Sequence, residues 1–362
     1  LGSYPITPAS DILHELAKHP EASIRTFQAE DEIAACASAV GAAFAGNLAW
    51  TTTSGPGMAL KGEAMGLAIS LELPLVIVDI QRGGPSTGLP TKTEQSDLLQ
   101  ALFGRHGESP MPVVAASRPA DCFECAIVAA DIAIKYRTPV ILLSDGYIAN
   151  SSEPWCLPDV DSLPDLSTSF ATEPNHTNPD GTEEFWPYVR DEETLARPWA
   201  IPGTAGLEHR IGGIEKADGS GEISYEPDNH QLMTDLRAAK VDGVADYYPP
   251  LSVSGDEDAD VLLVGWGSTW GAIASAVENI RSEGAKVAQL HLRHVNPLPK
   301  DLGGILGRFE KVLVPEMNLG QLAMVLRAEY LVDAQSISKV AGLPFTAGEI
   351  ETEIRKALGE VS

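Results

Sequence analysis

Short apolar segments alternate with helical segments between residues 22 and 150, and this order restricts the fold more than any other feature of the sequence. The run Leu75–Ile80 (Leu-Val-Ile-Val-Asp-Ile) has the composition of a strand buried on both faces. The other predicted strands of this region are Ser23–Gln28, Leu48–Thr53, Pro112–Ala116 and Val140–Ser144. The predicted helices are Glu30–Gly46, a segment that follows Ser54–Gly57 and ends near Glu72, Glu94–Phe103 and Ala120–Tyr136. Because such alternation is typical of a parallel sheet covered by helices, the sequence predicts a doubly wound α/β fold.

A second α/β unit follows later in the chain. Its predicted strands and helices are Val261–Val264, Ala272–Arg281, Val287–Leu292, Val312–Val314 and Gly320–Tyr330. Between the two units the sequence is rich in proline and acidic residues, but Phe185–Tyr188 and Trp199 supply apolar anchors. We therefore predict two doubly wound domains, 1–155 and 251–362, joined by an ordered, irregular segment, 156–250, that packs on a neighbouring domain or subunit.

The charge of the chain excludes some partners. Lys and Arg number 25 and Asp and Glu 51, so the net charge is −26, which argues against nucleic acid or an anionic membrane as a partner. No apolar run has the length of a membrane span and no signal-peptide pattern is present, so a cytoplasmic protein is expected. Leu1 is not an initiator methionine, and we expect further residues before it.

The cysteines do not suggest a metal cluster. Cys122 and Cys125 form the only close pair, inside an alanine-rich helical pattern, and Cys36 and Cys156 lie far away in sequence. Iron–sulfur and structural zinc sites usually need four ligands. Packing cysteines of a cytoplasmic protein are the favoured interpretation.

Polar residues follow several predicted strands, and together they predict a ligand site. Glu30, the Ser54–Gly57 turn and the Arg82–Thr91 loop each come directly after a strand. Ligands of open parallel sheets bind at the carboxyl ends of the strands, so these residues are expected along one sheet edge. Thr7 joins them as a hydroxyl on a stiff backbone, because Pro5 and Pro8 restrict the chain around it.

Each of these residues also has a purely structural interpretation. Glu30 could complement a helix N-terminus, or its carboxylate could be shielded, have a raised pKa and exchange protons. Arg82 could form a surface ion pair, or its guanidinium could bind a carboxylate in a bidentate manner. Thr7 could belong to a proline turn that only precedes a helix, or it could form one wall of an anion site.

The glycine-rich turn Gly265–Gly271 suggests a rival function. It could serve a nucleotide-binding oxidoreductase, but it is not G-x-G-x-x-G, and no acidic residue follows at the distance that dinucleotide binding requires. A structural strand-to-helix turn is the favoured interpretation.

Several motifs in one order resemble the α subunit of the 2-oxoacid:ferredoxin oxidoreductases, with the 2-oxoglutarate type as the nearest match. The resemblance covers essentially the whole chain. Its motifs are Tyr4–Pro8, Gln28–Glu30, Thr53–Gly57, Gln81–Thr91, Gly265–Thr269 and Val314–Gln321.

The resemblance implies roles for individual residues. Residues 1–155 would hold the pyrimidine ring of thiamine diphosphate, and Glu30 matches the family glutamate that bonds the ring nitrogen and so activates the thiazolium carbon. Ser54, Gly55 and Pro56 would line the cofactor. Thr7 and Arg82 match the residues that bind the carboxylate and carbonyl of the substrate. Thr87 and Thr91 fall where further polar contacts to substrate or cofactor are expected. Residues 251–362 resemble the transketolase C-terminal domain, which in this family does not hold the cofactor.

The residues that the chain lacks imply a partner. Thiamine diphosphate enzymes hold the diphosphate and Mg²⁺ with Gly-Asp-Gly and a later Asn, whereas Asp145-Gly146 with Asn150 lacks the first glycine and has a different spacing. The resemblance therefore implies a β subunit that brings the diphosphate site, Mg²⁺ and a [4Fe–4S] cluster. Two αβ units are expected to form a dimer, and a γ domain precedes this chain in some family members.

The resulting hypothesis is a catalytic subunit that decarboxylates 2-oxoglutarate on thiamine diphosphate. CoA would accept the acyl group and ferredoxin the electrons, and the reverse direction would use the same residues. The alternatives are the same chemistry on pyruvate or a branched-chain 2-oxoacid, and a non-catalytic acidic scaffold subunit.

Overall fold

The computed structural model describes residues 1–256 and 258–360, and it confirms the alternating α/β architecture of residues 1–155. The elements of this region are β1 (Gly2–Ser3), α1 (Ser10–Leu16), β2 (Phe27–Gln28), α2 (Glu32–Phe44), β3 (Ala49–Thr53), α3 (Gly55–Leu60), α4 (Gly62–Leu71), β4 (Leu75–Gln81), α5 (Leu98–Phe103), β5 (Val113–Ala115), α6 (Asp121–Tyr136), β6 (Pro139–Asp145) and α7 (Gly146–Ala149). All seven residues of β4 are buried, as the apolar run predicts for a central strand.

The segment 156–250 is ordered but not wholly irregular. It contains β7 (His176–Thr177), β8 (Glu183–Glu184) and α8 (Pro227–Gly243). The sequence analysis did not predict α8, because this helix has few apolar residues and buries only Met233, Lys240 and Val241. The segment contacts the end of α4, where the hydroxyl of Tyr188 donates to Ser70 O at 3.1 Å.

The described residues after 250 form the second α/β unit. Its elements are β9 (Ser254–Gly255), β10 (Val261–Trp266), α9 (Trp270–Ser282), β11 (Val287–Leu292), β12 (His294–Asn296), α10 (Leu302–Leu306), β13 (Lys311–Glu316), α11 (Gln321–Tyr330), β14 (Ala334–Ser338) and α12 (Ala347–Leu358). The described residues form a five-stranded sheet here, in the order β14-β13-β10-β11-β9, with only β9 antiparallel to its neighbour.

The first sheet includes a strand from the second unit. Its order is β12-β5-β6-β4-β3-β1-β2, and β12 pairs antiparallel with β5. One cluster of buried apolar side chains also runs through both units, from Met58 and Leu75 to Trp266 and Leu290. The ranges 1–155 and 251–362 therefore share both backbone hydrogen bonds and a core.

No helix of the described residues is long and apolar enough to cross a membrane.

His294 on β12 lies where the two units join, and we expect it to make this join sensitive to acid. Its ring is buried and stacks on Tyr248 at 3.7 Å between centroids, and Nδ1 has no partner among the described residues. Burial lowers the pKa of His294 to about 4, from an ordinary value of 6.5. The stabilisation by neutral His294 is complete above pH 6.5 and is lost as the pH falls from 6.5 towards 4, because the unfolded state takes up the proton first.

We expect the wild type to lose about 2 kcal/mol more unfolding free energy between pH 7 and pH 5 than His294→Phe, which keeps the stacking but does not titrate. Chemical denaturation at both pH values measures this difference. Replacement of the exposed His14 with Gln is the control and should follow the wild type. Equal losses for wild type and His294→Phe would contradict the assignment.

Candidate active site

The carboxyl ends of β1, β3 and β4 lie side by side, because β1 pairs with β3 and β3 pairs with β4, all in parallel. Thr7 follows β1, Ser54 follows β3 and Arg82 follows β4. Arg82 is buried, and its Nη1 donates to the backbone carbonyl of Thr7 at 2.5 Å, whereas the Thr7 residue itself is exposed. The structure thus brings the predicted Thr7 and Arg82 together at one sheet edge. The Nε of Arg82 has no partner among the described residues.

The loop after Arg82 closes on itself through backbone hydrogen bonds. Gly83 N donates to Lys92 O at 2.9 Å, and Leu89 N donates to Gly83 O at 2.9 Å. Gly88 has a φ of +49°, and a Cβ there would lie 2.1 Å from Gly83 O, so this tight crossing requires glycine. Thr87 and Thr91 are exposed and make no side-chain hydrogen bond within the described part of the chain. Their predicted contacts to substrate or cofactor stay predictions.

The turn after β3 packs against two acidic side chains, and glycine is needed at both contacts. A Cβ on Gly57 would lie 2.8 Å from Cγ of Glu32 and 2.1 Å from Oγ1 of Thr53. A Cβ on Gly55 would lie 2.5 Å from Oδ1 of Asp97. The predicted cofactor-lining residues Ser54–Pro56 therefore form the start of α3, directly against these carboxylates.

Two glutamates lie near the start of α2, and their surroundings differ. Glu30 is exposed and lies between β2 and α2. Asp31 is the N-cap of α2 and accepts a hydrogen bond from Ala34 N at 2.8 Å, so Asp31 and not Glu30 caps this helix. Glu32 is buried against the Ser54–Gly57 turn, and Lys61 Nζ donates to its backbone carbonyl at 3.3 Å. The carboxylate of Glu32 makes no hydrogen bond within the described residues.

Three buried ionisable side chains lie near this turn. Asp79 on β4 is fully buried, and neither of its side-chain oxygens has a partner among the described residues. Burial raises the pKa of Asp79 well above its usual range, and the nearby Asp97 raises it further. Burial likewise raises the pKa of Asp97 and lowers that of Lys61, whose side chain is wholly enclosed. Ionisable groups with such shifts cluster at functional sites.

Comparison with known proteins identifies the family of the chain. A family model described as pyruvate flavodoxin/ferredoxin oxidoreductase, thiamine diphosphate-binding, matches residues 1–226, and one for pyruvate:ferredoxin oxidoreductase core domain II matches residues 259–350. The chain belongs to the 2-oxoacid:ferredoxin oxidoreductase family. The 2-oxoglutarate oxidoreductase subunit KorA of Mycobacterium tuberculosis is 60% identical over 99% of this chain and 53% of that protein. The 2-oxoglutarate synthase subunit KorA of Methanothermobacter marburgensis is 32% identical over 96% of this chain and 89% of that protein.

Solved structures give the same result. The 2-oxoglutarate:ferredoxin oxidoreductase of Magnetococcus marinus, solved with 2-oxoglutarate, coenzyme A and succinyl-CoA bound, has a TM-score of 0.89 at 38% identity, over 98% of this chain and 61% of that chain. A split-gene transketolase has a TM-score of 0.53 at 16% identity, over 99% of this chain and 91% of that chain, which shows a shared fold alone. The chain spans about half the length of the Mycobacterium tuberculosis relative.

The residues of this family member fit one half of a thiamine diphosphate site. Glu32 and the glycine-containing turn offer a free carboxylate beside a surface of small residues. Near the end of β6, Oδ1 of Asp145 accepts from Tyr147 N at 2.8 Å and from Thr93 Oγ1 at 3.0 Å, and Nδ2 of Asn150 donates to Gly146 O at 2.6 Å. No group of three or more His, Cys, Asp or Glu side chains among the described residues could hold a metal ion.

Glu32, Lys61, Asp79 and Asp97 were missed by the sequence analysis. Asp79 carried a usable signal, because a charged residue inside the apolar run Leu75–Ile80 is costly to bury and seldom has only a structural role. No signal in the sequence distinguished Glu32 from Glu30, because which of the two is buried depends on where α2 begins.

Proposed function

We propose that this chain is the α subunit of a 2-oxoglutarate:ferredoxin oxidoreductase. The complete enzyme converts 2-oxoglutarate and CoA to succinyl-CoA and CO₂ and passes the electrons to ferredoxin. The observation that carries this proposal is the shared sheet edge, where the guanidinium of Arg82 meets Thr7 and a buried glutamate faces the turn after β3. The 60% identity to a 2-oxoglutarate oxidoreductase subunit favours 2-oxoglutarate over pyruvate or a branched-chain 2-oxoacid.

Thiamine diphosphate supplies the electron sink that decarboxylation of a 2-oxoacid requires. We assign the carboxylate that bonds the aminopyrimidine to Glu32 instead of Glu30. Glu32 is the one of the two that is enclosed by the turn, and its oxygens have no competing donor within the described residues. A carboxylate held beside a bound ring can exchange a proton with it.

Arg82 would bind the carboxylate of the substrate. The contact from its Nη1 to Thr7 O fixes the orientation of the guanidinium, and Nε is left without a partner. Two N–H groups in one plane match the geometry of a carboxylate. The Thr7 hydroxyl, and Thr87 and Thr91 in the flanking loop, would add donors from the exposed side of the site.

The other half of the site would come from a β subunit, because Asp145-Gly146 with Asn150 lacks the first glycine of the Gly-Asp-Gly pattern that holds the diphosphate and Mg²⁺. That subunit would supply the diphosphate contacts, Mg²⁺ and the [4Fe–4S] cluster. Two αβ units would associate in the cytoplasm, with ferredoxin as the mobile electron carrier.

Assays of the purified complex with added thiamine diphosphate test this function. We expect CoA-dependent reduction of ferredoxin with 2-oxoglutarate, and much lower kcat/KM with pyruvate. Arg82→Lys should raise KM for 2-oxoglutarate about 10- to 100-fold with a smaller change in kcat, because it loses charge-assisted hydrogen bonds to the bound carboxylate. Arg281→Lys, in an exposed ion pair with Asp256, is the matched control and should behave as wild type. A complex with full cofactor content that does not oxidise 2-oxoglutarate would refute the proposal.

A further inference from the structure

The segment that joins the Arg82 loop to α5 is buried although it is polar. Thr93, Glu94, Gln95 and Asp97 are each less than a tenth exposed, and Gln95 is fully buried. The sequence predicts a helix from Glu94, but α5 begins only at Leu98. Hydrogen bonds to two different domains hold these residues outside a helix.

One set of hydrogen bonds holds the chain around Arg82, at the carboxyl end of β4. Ser96 Oγ donates to the backbone carbonyl of Arg82 at 3.3 Å. Gly84 N donates to Oε2 of Glu94 at 3.3 Å, and Asp97 N donates to Oε1 of Gln81 at 3.1 Å. The segment therefore contacts Gln81, Arg82 itself and Gly84.

Gln95, in the same segment, makes its hydrogen bonds with the second unit. Its Nε2 donates to Trp266 O at 2.8 Å, and its Oε1 accepts from Met317 N at 3.0 Å. Its backbone N donates to Met317 O at 3.1 Å, and its backbone O accepts from Asn318 Nδ2 at 2.8 Å. Four polar groups of one residue thus bind the ends of β10 and β13, where the two motifs that the proposed chemistry does not use are located.

The surface that receives Gln95 is itself fixed. Oε1 of Glu316 accepts from Trp266 Nε1 at 3.1 Å, from Asn318 Nδ2 at 3.0 Å and from Leu322 N at 2.8 Å. Gly267 has a φ of +56°, and a Cβ there would lie 2.7 Å from Nε2 of Gln95. The glycine-rich turn after β10 thus leaves the space that the Gln95 amide fills.

We propose that Gln95 is a positioning residue through which the second domain sets the place of Arg82, and hence the affinity of the site for the 2-oxoacid carboxylate. This inference rests on the proposed function of Arg82. The Gly265–Thr269 and Val314–Gln321 motifs then serve substrate binding indirectly, because they form the two anchoring points for a single buried amide.

Gln95→Ala tests the inference in the assembled complex with thiamine diphosphate bound. We expect KM for 2-oxoglutarate to rise about tenfold while kcat changes much less, because the displaced Arg82 weakens binding in ground state and transition state alike. Amide hydrogen exchange of residues 83–92 should quicken, whereas exchange of β4 stays unchanged. Gln335→Ala is the matched control and should alter neither quantity, because this glutamine is exposed and its side chain donates to Asp333.

Gln95→Glu separates positioning from general damage to the fold. The carboxylate still accepts from Met317 N but cannot donate to Trp266 O, whereas the protonated acid can. Its KM defect should therefore shrink as the assay pH is lowered, relative to wild type at the same pH. Unchanged KM and unchanged exchange of residues 83–92 in Gln95→Ala would overturn the inference. If the wild-type complex does not oxidise 2-oxoglutarate, the proposed function fails, and the exchange rates alone still decide whether Gln95 holds the loop.

Discussion

Glu32→Gln is expected to reduce turnover of 2-oxoglutarate by a factor between about 10² and 10⁴, the usual contribution of a positioned acid–base group. The amide keeps the size of the side chain against the Ser54–Gly57 turn but cannot take up a proton. Association with the β subunit should be unaffected. Steady-state kinetics of the reconstituted complex and its elution volume in size-exclusion chromatography measure the two properties.

Glu30→Gln is the matched control, since it makes the same chemical change two residues earlier on an exposed side chain. We expect turnover close to wild type. The opposite pattern, with Glu30→Gln inactive and Glu32→Gln active, would return the role to Glu30. Near-normal turnover of both variants would contradict any role for this acidic stretch in activating the cofactor.

Glu72→Ala is expected to lower the free energy of unfolding by about 3–5 kcal/mol, because it leaves two buried cations without their shared anion. Arg190 donates to both carboxylate oxygens of Glu72 at 2.6 Å, and Lys240 of α8 forms a second buried ion pair with it. Burial alone would raise the pKa of Glu72, but the charges of Lys240 and Arg190 lower it to about 2. Urea denaturation followed by tryptophan fluorescence measures the loss.

Two further experiments distinguish the loss of the buried ion pairs from a general effect of removing a charge. Glu15→Gln removes an exposed partner of Lys18 and should not measurably change stability. Glu72→Ala combined with Lys240→Met should lose less than the sum of the two single changes, because the second change removes one of the stranded charges. A loss for Glu72→Ala no larger than for Glu15→Gln would show that the ion pairs do not hold the segment 156–250 in place.

The sequence predicts the sheet edge but not the fine position of its charges. Strand–helix alternation is sufficient to bring the ends of β1, β3 and β4 together, because parallel strands end at the same side, and Arg82 and Thr7 do meet there. The difference between Glu30 and Glu32 depends on Asp31 capping α2, which moves the helix start by two residues relative to the predicted Glu30.

Tertiary contacts explain the larger differences. Residues 94–97 have helical propensity, but hydrogen bonds of Gln95 to Trp266 and Met317 compete with it, and these partners are 171 and 222 residues away in sequence. The helix α8 escaped prediction because Lys240 is buried by pairing with Glu72 and not by an apolar stripe. Both contacts join residues far apart in the chain, so neither can be predicted from a local sequence pattern.

The antiparallel pairing of β12 with β5 limits how this subunit can open. His294 and Asn296 lie opposite Val114 and Val113, and Ala115 N donates to Arg293 O at 2.7 Å. A hinge between the two α/β units would have to break these bonds and expose their common core. In the proposed enzyme, admission of substrate and release of product should therefore depend on the Arg82–Thr91 loop and on movement of the proposed partner subunit, while the two units of this chain turn as one body.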